Sequence, residues 1–276
     1  FLSVIAVSSL AASSAGCLDR PVAPATPKTT SRFLDKETQS AVDKIDLLFM
    51  IDNSISMADK QNVLAAAVPD LVGRLVDPIC VDATGAPVRN AGAPIHSSGG
   101  CPQDALPEFK PVKDIHIGIV SSSLGGDGAD SCSQAQGSMY NKTMDDMAHL
   151  ITRGTTAQTY AGKGFLQWDP DQAKSPPGEK DPGTLADTFA ELVTGTGQDG
   201  CGFEQSLEAV YRFLIDPAPY EKITIDANQL AVLEGTDQTV LQQRGDFLRP
   251  DSLVAIISIS DENDCSVVAE NGTQGW

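Results

Sequence analysis

Three short apolar runs constrain the fold of this chain more than any other feature. They are KIDLLFMID at 44–52, DIHIGIVSS at 114–122 and SLVAIISIS at 252–260. Each has the length and composition of a strand that is buried on both faces, which is typical of a parallel sheet. Parallel strands need long crossover connections, so we expect helices in the segments between them.

The intervening segments do have helical patterns. Residues 59–76 carry apolar side chains at helical spacing, with Asp59 placed to cap the helix and Pro69 expected to kink or interrupt it. Further predicted elements are helices at 184–193 and 203–215 and a short edge strand at 164–168. Buried strands that alternate with helices predict an α/β fold, namely a doubly wound, mostly parallel sheet with helices on both faces.

The amino-terminal part is typical of an export segment followed by a linker. Residues 1–15 are apolar or small and too few to span a bilayer stably, which indicates the end of a signal peptide. Residues 18–41 are rich in Pro, Thr and Ser and have no apolar periodicity, as in a flexible tether. We therefore divide the chain into a signal segment (1–17), this tether, and a folded domain (42–276).

Gly16-Cys17 follows the small residues of the signal segment and resembles the lipobox of bacterial lipoproteins. In that family the cysteine is lipidated after cleavage. The resemblance implies that Cys17 carries a lipid anchor, which would be the chain's contact with a membrane, at the outer membrane or cell surface. Ser14 departs from the pattern, because the family prefers Leu there. An ordinary secretory peptide with an incidental cysteine is the alternative.

The charge of the chain is strongly acidic, with a formal net charge of -18 and a pI near 4.3. The acidic residues are spread along the sequence and do not form one block. This balance argues against a nucleic-acid partner, since such proteins present basic surfaces to phosphates. A dispersed acidic surface favours solubility and, at most, divalent cations or basic partners.

Five cysteines follow the tether and contain no CxxC pair or zinc-like spacing. They are Cys80, Cys101, Cys132, Cys201 and Cys265. Disulfides are the favoured interpretation, because an exported protein meets an oxidising compartment. Cys80 and Cys101 bracket a loop rich in Gly, Pro and Asn, and we pair them first. One of the other three must then be free or pair beyond Trp276.

The segment Asp52-Asn53-Ser54-Ile55-Ser56 is the most informative for function. It falls where a buried strand ends and the chain turns towards a helix, which is where ligands of open α/β sheets bind. Asp52, Ser54 and Ser56 offer one carboxylate and two hydroxyls, the oxygen donors that Mg²⁺ or Ca²⁺ requires. In the alternative interpretation, Asp52 caps a turn and both serines hydrogen-bond the loop.

DLLFMIDNSISM and the later strand ending in Asp261 resemble the metal-ion-dependent adhesion site of von Willebrand factor A domains. The resemblance implies that Asp52, Ser54, Ser56 and Asp261 ligate a divalent cation (Mg²⁺, Mn²⁺ or Ca²⁺). The family also has a ligating Thr before a central helix, but Gly200-Cys201-Gly202 stands in that place here. Thr196, several residues upstream, is a possible additional ligand. The family's last strands and helix are expected beyond Trp276.

The resemblance implies an adhesion module and not an enzyme. The cation would keep an open coordination position, which an acidic side chain of a partner protein completes. Long loops at 78–113 and 125–183 would then set partner specificity. One alternative is an assembly module whose metal site is degenerate, which the missing Thr favours. Another is a metal-dependent hydrolase, although the sequence offers no acid/base pair for it.

Overall fold

The three apolar runs form neighbouring strands of one sheet in a computed structural model, which describes residues 44–126, 132, 145–154, 158–228 and 230–266. The strands are β1 (Lys44–Ile51), β2 (Cys80–Val81), β3 (Arg89–Asn90), β4 (Ala93–Pro94), β5 (Leu106–Pro107), β6 (Asp114–Ser121), β7 (Leu166–Trp168), β8 (Lys222–Ile225), β9 (Ala231–Glu234) and β10 (Leu253–Ile259). The α-helices are α1 (Ala58–Val76), α2 (Pro182–Gly195), α3 (Ser206–Leu214) and α4 (Gln238–Phe247).

The main sheet has the strand order β10-β1-β6-β7. The central strand β1 is parallel to both β10 and β6, and Leu48 lies opposite Ile256 on one side and Gly118 on the other. The short strand β7 runs antiparallel to β6 at the far edge. The predicted α/β class, the mostly parallel sheet and the short edge strand are therefore confirmed.

Helices cover both faces of this sheet. Alternate residues of β1 and β6 point to one face, where Phe49 packs on Phe189 of α2 with ring centroids 4.8 Å apart. On the other face Leu48 and Met50 join a buried cluster with Phe213 of α3 and Phe247 of α4. Because β1, β6 and β10 are parallel, their carboxyl ends lie together at one edge of the sheet.

Helix α1 differs from its predicted form at two points. It begins at Ala58, after a 3-10 turn at Ile55–Met57, so Met57 and not Asp59 occupies the N-cap position. It also continues through Pro69 without interruption. Proline removes one backbone donor from a helix, but Val68 and Val72 are buried in the core on either side and hold the turn in place.

Strand β10 is more exposed than its sequence predicts. Leu253, Val254 and Ile256 are 43%, 41% and 48% exposed, so the expectation of burial on both faces is wrong. Within the described chain β10 pairs with β1 alone, and α3 packs over β1 and β6. On the face opposite Val254 and Ile256, Ala255, Ile257 and Ile259 pack against the cluster that contains Phe49.

Disulfides pin two of the loop segments. The predicted pair Cys80–Cys101 is confirmed and closes the loop that carries β2 to β5. A second disulfide joins Cys132 to Cys201, and Cys265 takes part in neither. Of the described helices, none is long and apolar enough to cross a membrane. The signal segment, Cys17 and the tether lie outside the described residues.

Candidate metal site

Asp52 stands at the carboxyl end of β1 and is fully buried. Its backbone N–H donates to the carbonyl oxygen of Ile259 at 2.9 Å, which fixes it between β1 and β10. The carboxylate accepts hydrogen bonds from the Ser54 N–H (2.8 Å) and from the hydroxyls of Ser122 (3.2 Å) and Ser260 (2.9 Å). The last two residues follow β6 and β10, so three neighbouring strand ends hold one carboxylate.

The four predicted ligands form a continuous hydrogen-bonded chain. The hydroxyls of Ser54 and Ser56 are 2.9 Å apart. Ser56 Oγ then donates to Asp261 Oδ1 at 3.1 Å. Asp52 joins the chain through the Ser54 N–H. The structure thus brings together residues that are more than 200 positions apart in the sequence, and it presents oxygen donors of the type that hard divalent cations require.

The ammonium group of Lys60 also lies at this site. Lys60 Nζ is 3.0 Å from Asp261 Oδ2 and 3.0 Å from Asp59 Oδ1, and it donates to the Ser56 carbonyl oxygen at 2.9 Å. Hydrogen bonds to Asp261 and Asp59 raise the pKa of Lys60, and the bond from Lys60 holds the pKa of Asp261 below its usual value. A metal ion on Asp261 would compete with this ammonium.

The loop that ends at Cys201 packs directly on Asn53, beside Asp52. The Gly200 N–H donates to the Asn53 carbonyl oxygen at 2.9 Å, and Ser123 Oγ accepts from the Cys201 N–H at 2.8 Å. A Cβ added at Gly200 would lie 2.3 Å from Asn53 Oδ1, so the close approach requires glycine. The resemblance to von Willebrand factor A domains predicts a Thr ligand in this loop, and Gly200-Cys201-Gly202 supplies backbone groups there instead of a hydroxyl.

Thr196 lies at the carboxyl end of α2 and is fully buried. Its hydroxyl donates to the carbonyl oxygen of Leu192 in its own helix at 3.3 Å. Its carbonyl oxygen accepts from Arg153 Nη2 at 2.6 Å. The side chain is thus engaged within α2, and a ligand role for Thr196 stays a prediction.

Glu204 is a residue of this site that the sequence analysis missed. It is only 5% exposed. Burial raises the pKa of its carboxyl, and the negative charges of Glu262, Asp52 and Asp261 add to that rise. The residue precedes α3 and falls inside a segment with a helical pattern, where a glutamate is normally a solvated side chain. Its short distance in sequence from Gly200-Cys201-Gly202 was the available signal.

A second acidic pair, Asp145 and Asp146, lies next to the strand ends. Asp146 accepts from both terminal nitrogens of Arg153, at 2.5 and 2.8 Å, and from Ser121 Oγ at 2.5 Å. Burial, followed by the charge of Asp146, raises the pKa of Asp145 to about 8. Among the described residues, nothing hydrogen-bonds the buried Oδ1 of Asp145. The two residues thus differ: the Asp146 carboxylate is held by an arginine and a serine, whereas Oδ1 of Asp145 has no hydrogen-bond partner among the described residues.

A cleft of about 400 Å³ lies elsewhere on the molecule, beside β7 and the start of α2. Tyr160 and Glu179 are the ionisable side chains among its lining residues. None of the predicted ligands lines it. The cleft therefore contains fewer ionisable side chains than the strand-end site.

The predicted ligands are hard oxygen donors and fit a divalent cation by their chemistry. In the described ranges, no group of three or more His, Cys, Asp or Glu side chains is already gathered as a metal cage. Two of the four predicted ligands, Ser54 and Ser56, are hydroxyls. Comparisons with models of protein families, with curated proteins and with solved structures find no match for this chain.

Proposed function

We propose that this chain is a von Willebrand factor A-like domain that binds a partner protein through a divalent cation held by Asp52, Ser54, Ser56 and Asp261. The observation that carries the proposal is the hydrogen-bonded chain that links these four residues at the carboxyl ends of adjacent parallel strands, with the Asp52 carboxylate joined through the Ser54 backbone N–H. The parallel strand order and the helices on both faces support a doubly wound fold of this family.

Each residue has a defined part in this mechanism. Ser122 and Ser260 orient the carboxylate of Asp52, as partners of metal ligands commonly do. Ser54 and Ser56 present their hydroxyls beside Asp261, whose ion pair with Lys60 a cation would have to displace. A bound Mg²⁺, Mn²⁺ or Ca²⁺ would supply the positive charge that recognises an acidic side chain of the partner. The segment that follows β6 would set which partner is accepted, whereas the 78–113 loop leads into the amino end of β6.

The proposal includes export to the bacterial cell envelope on a lipid anchor at Cys17. Its support is the lipobox-like sequence and the disulfides Cys80–Cys101 and Cys132–Cys201, which suit an oxidising compartment. The acidic charge of the chain supports a protein partner over a nucleic acid.

A second candidate function is an assembly module that docks a partner without any cation. One observation favours it, because Lys60 already places a positive charge on Asp261. In that case the Ser54–Ser56–Asp261 chain is complete as it stands and serves only to hold the loop. The two candidates differ in whether cation binding exists and whether chelation abolishes partner binding.

Replacing Asp52 by alanine is expected to abolish cation binding, because it removes the carboxylate that three strand ends orient. Calorimetric titration of the purified chain with Mg²⁺, Mn²⁺ and Ca²⁺ measures this. Asp251→Ala is the matched control, since Asp251 follows α4 on an exposed loop and pairs with Lys44. Asp52 is buried, so the exposed Ser56→Ala provides a second variant; we expect it to weaken affinity by about tenfold. Absence of saturable binding by the unmodified chain would contradict the metal-dependent function.

Replacing Lys60 by glutamine separates the two candidate functions. If a cation and the ammonium compete for Asp261, the variant should bind the cation about two- to fivefold more tightly, a modest gain because the ion pair is exposed. The same titration measures it. Lys222→Gln, which removes an exposed pair with Glu234 elsewhere, is the control. Unchanged affinity in Lys60→Gln would contradict the competition.

A further inference from the structure

The disulfide between Cys132 and Cys201 lies against the carboxyl group of Asp145. Asp145 Oδ2 is 3.5 Å from Cys201 Sγ, which is contact distance for these two atoms. The disulfide is buried, with Cys201 1% exposed and Cys132 6% exposed. The other carboxyl oxygen of Asp145 is buried as well, and no described residue hydrogen-bonds it. A carboxyl group and a disulfide sulfur therefore meet in a place that is largely shielded from water.

The carboxyl group of Asp145 keeps its proton at neutral pH. Burial, followed by the charge of Asp146, raises its pKa to about 8, and the positive charge of Arg153 opposes this rise only in part. Within the described ranges, these two residues are the charged groups that act on Asp145. A cysteine thiol has an ordinary pKa of about 8.5. Proton transfer between Asp145 and a Cys201 thiol is therefore nearly balanced, which favours acid/base catalysis near neutral pH.

We propose that Cys132–Cys201 is a redox-active disulfide that exchanges with small thiols, and that Asp145 is its catalytic acid and base. The inference does not depend on the proposed cation. Cys132 is the more exposed of the two sulfurs, so a thiolate attacks there. A bond forms between the thiolate and Cys132 Sγ, the disulfide bond breaks, and Cys201 Sγ leaves with the electron pair. Asp145 gives its proton to that sulfur and becomes a carboxylate.

A dithiol reductant completes the reaction. Its second thiolate attacks the sulfur already bound to Cys132, closes a cyclic disulfide and releases Cys132 as a thiolate. Cys132 and Asp145 then each take up one of the two protons that the dithiol released to solvent, so that protein and reductant exchange two electrons and two protons. Residues 132 and 201 form an antiparallel bridge, which keeps the two thiols opposite each other. The disulfide can therefore form again by the reverse steps, with the Asp145 carboxylate accepting the proton of Cys201.

The test measures how fast dithiothreitol reduces each disulfide of the folded full chain from pH 5 to pH 9. Acid quenching, alkylation and peptide mass spectrometry follow each cysteine, and rates are divided by the thiolate concentration. For Cys132–Cys201 this rate should be constant below pH 8 and fall above it, because Asp145 then loses its proton. In Asp145→Asn the fall should vanish. The rate at pH 6 should be about a hundredfold lower, at the lower end of what general acid catalysis contributes.

Two controls accompany this measurement. Cys80–Cys101, in the loop that leads into the amino end of β6, reports reduction through unfolding in the same molecules. Asp187→Asn removes an exposed carboxylate from α2 and should behave as the unmodified chain does. Equal rates at the two disulfides of the unmodified chain would overturn the redox activity. A profile of the unmodified chain that does not fall above pH 8, or one that Asp145→Asn leaves unchanged, would overturn the role of Asp145.

Discussion

Replacing Arg249 by methionine is expected to lower the free energy of unfolding by about 3–5 kcal/mol. Arg249 lies at the amino ends of the strands, opposite the proposed metal site. Its Nε donates to Asp46 Oδ1 at 2.8 Å, its backbone N–H donates to Asp46 Oδ2 at 2.9 Å, and its guanidinium also pairs with Asp114. Asp46 is completely buried, so the variant leaves a buried carboxylate without its countercharge.

Urea unfolding followed by circular dichroism measures this loss through the transition midpoint and slope. Arg74→Met is the matched control, because Arg74 makes a two-pronged pair with Glu108 on the surface. Exposed ion pairs contribute little to stability, so this control should unfold close to the unmodified protein. Similar losses of unfolding free energy in both variants would show that the buried pair of Asp46 and Arg249 contributes no more to stability than an exposed ion pair.

The second large effect concerns pH and Asp145. Its pKa is raised from 3.8 to about 8, by burial first and by the charge of Asp146 second. The folded protein therefore holds this proton more tightly than the unfolded chain, and stability falls as pH rises between these two values. The penalty is absent below pH 3.8 and complete above pH 8. After a discount for partial solvation, we expect about 3 kcal/mol from this group.

Asp145→Asn should remove that slope and leave the variant more stable than the unmodified protein at pH 9. Urea unfolding at intervals from pH 5 to pH 9 measures both quantities. Asp187→Asn, on the exposed side of α2, serves as the control and should retain the slope of the unmodified protein. A slope that survives in Asp145→Asn would assign the pH dependence to other groups.

The sequence predicted the parallel strands of the main sheet, and it predicted four ligand residues that the structure brings together at one edge of that sheet. Strands β1 and β6 are apolar on both faces because helices cover both faces, and this burial is visible in a single run of residues. Asp52, Ser54 and Ser56 occupy alternate positions of one short segment, so a sequence motif can reveal them. Asp261 could be added because the carboxyl ends of parallel strands share one edge.

Other features depend on contacts that no local pattern encodes. The exposure of Ile256 depends on which helices reach β10, and a strand's own residues do not specify this. Glu204 falls in a segment that the sequence predicts as helical, and Lys60 lies in α1; charged residues in helices normally face solvent. Ser122 and Ser260 resemble ordinary serines at strand ends. The connectivity Cys132–Cys201 was one of several open possibilities, because pairing follows distance in space.

The disulfide at Cys201 has a consequence for how the proposed metal site responds to its surroundings. Cys201 follows Gly200, whose backbone is bonded to Asn53 beside Asp52, and its own N–H is held by Ser123. The covalent link to Cys132 therefore anchors the rim of the site directly. Reduction of that link would release the loop that packs on Asn53. Any titration of the proposed cation site should therefore state the oxidation state of Cys201.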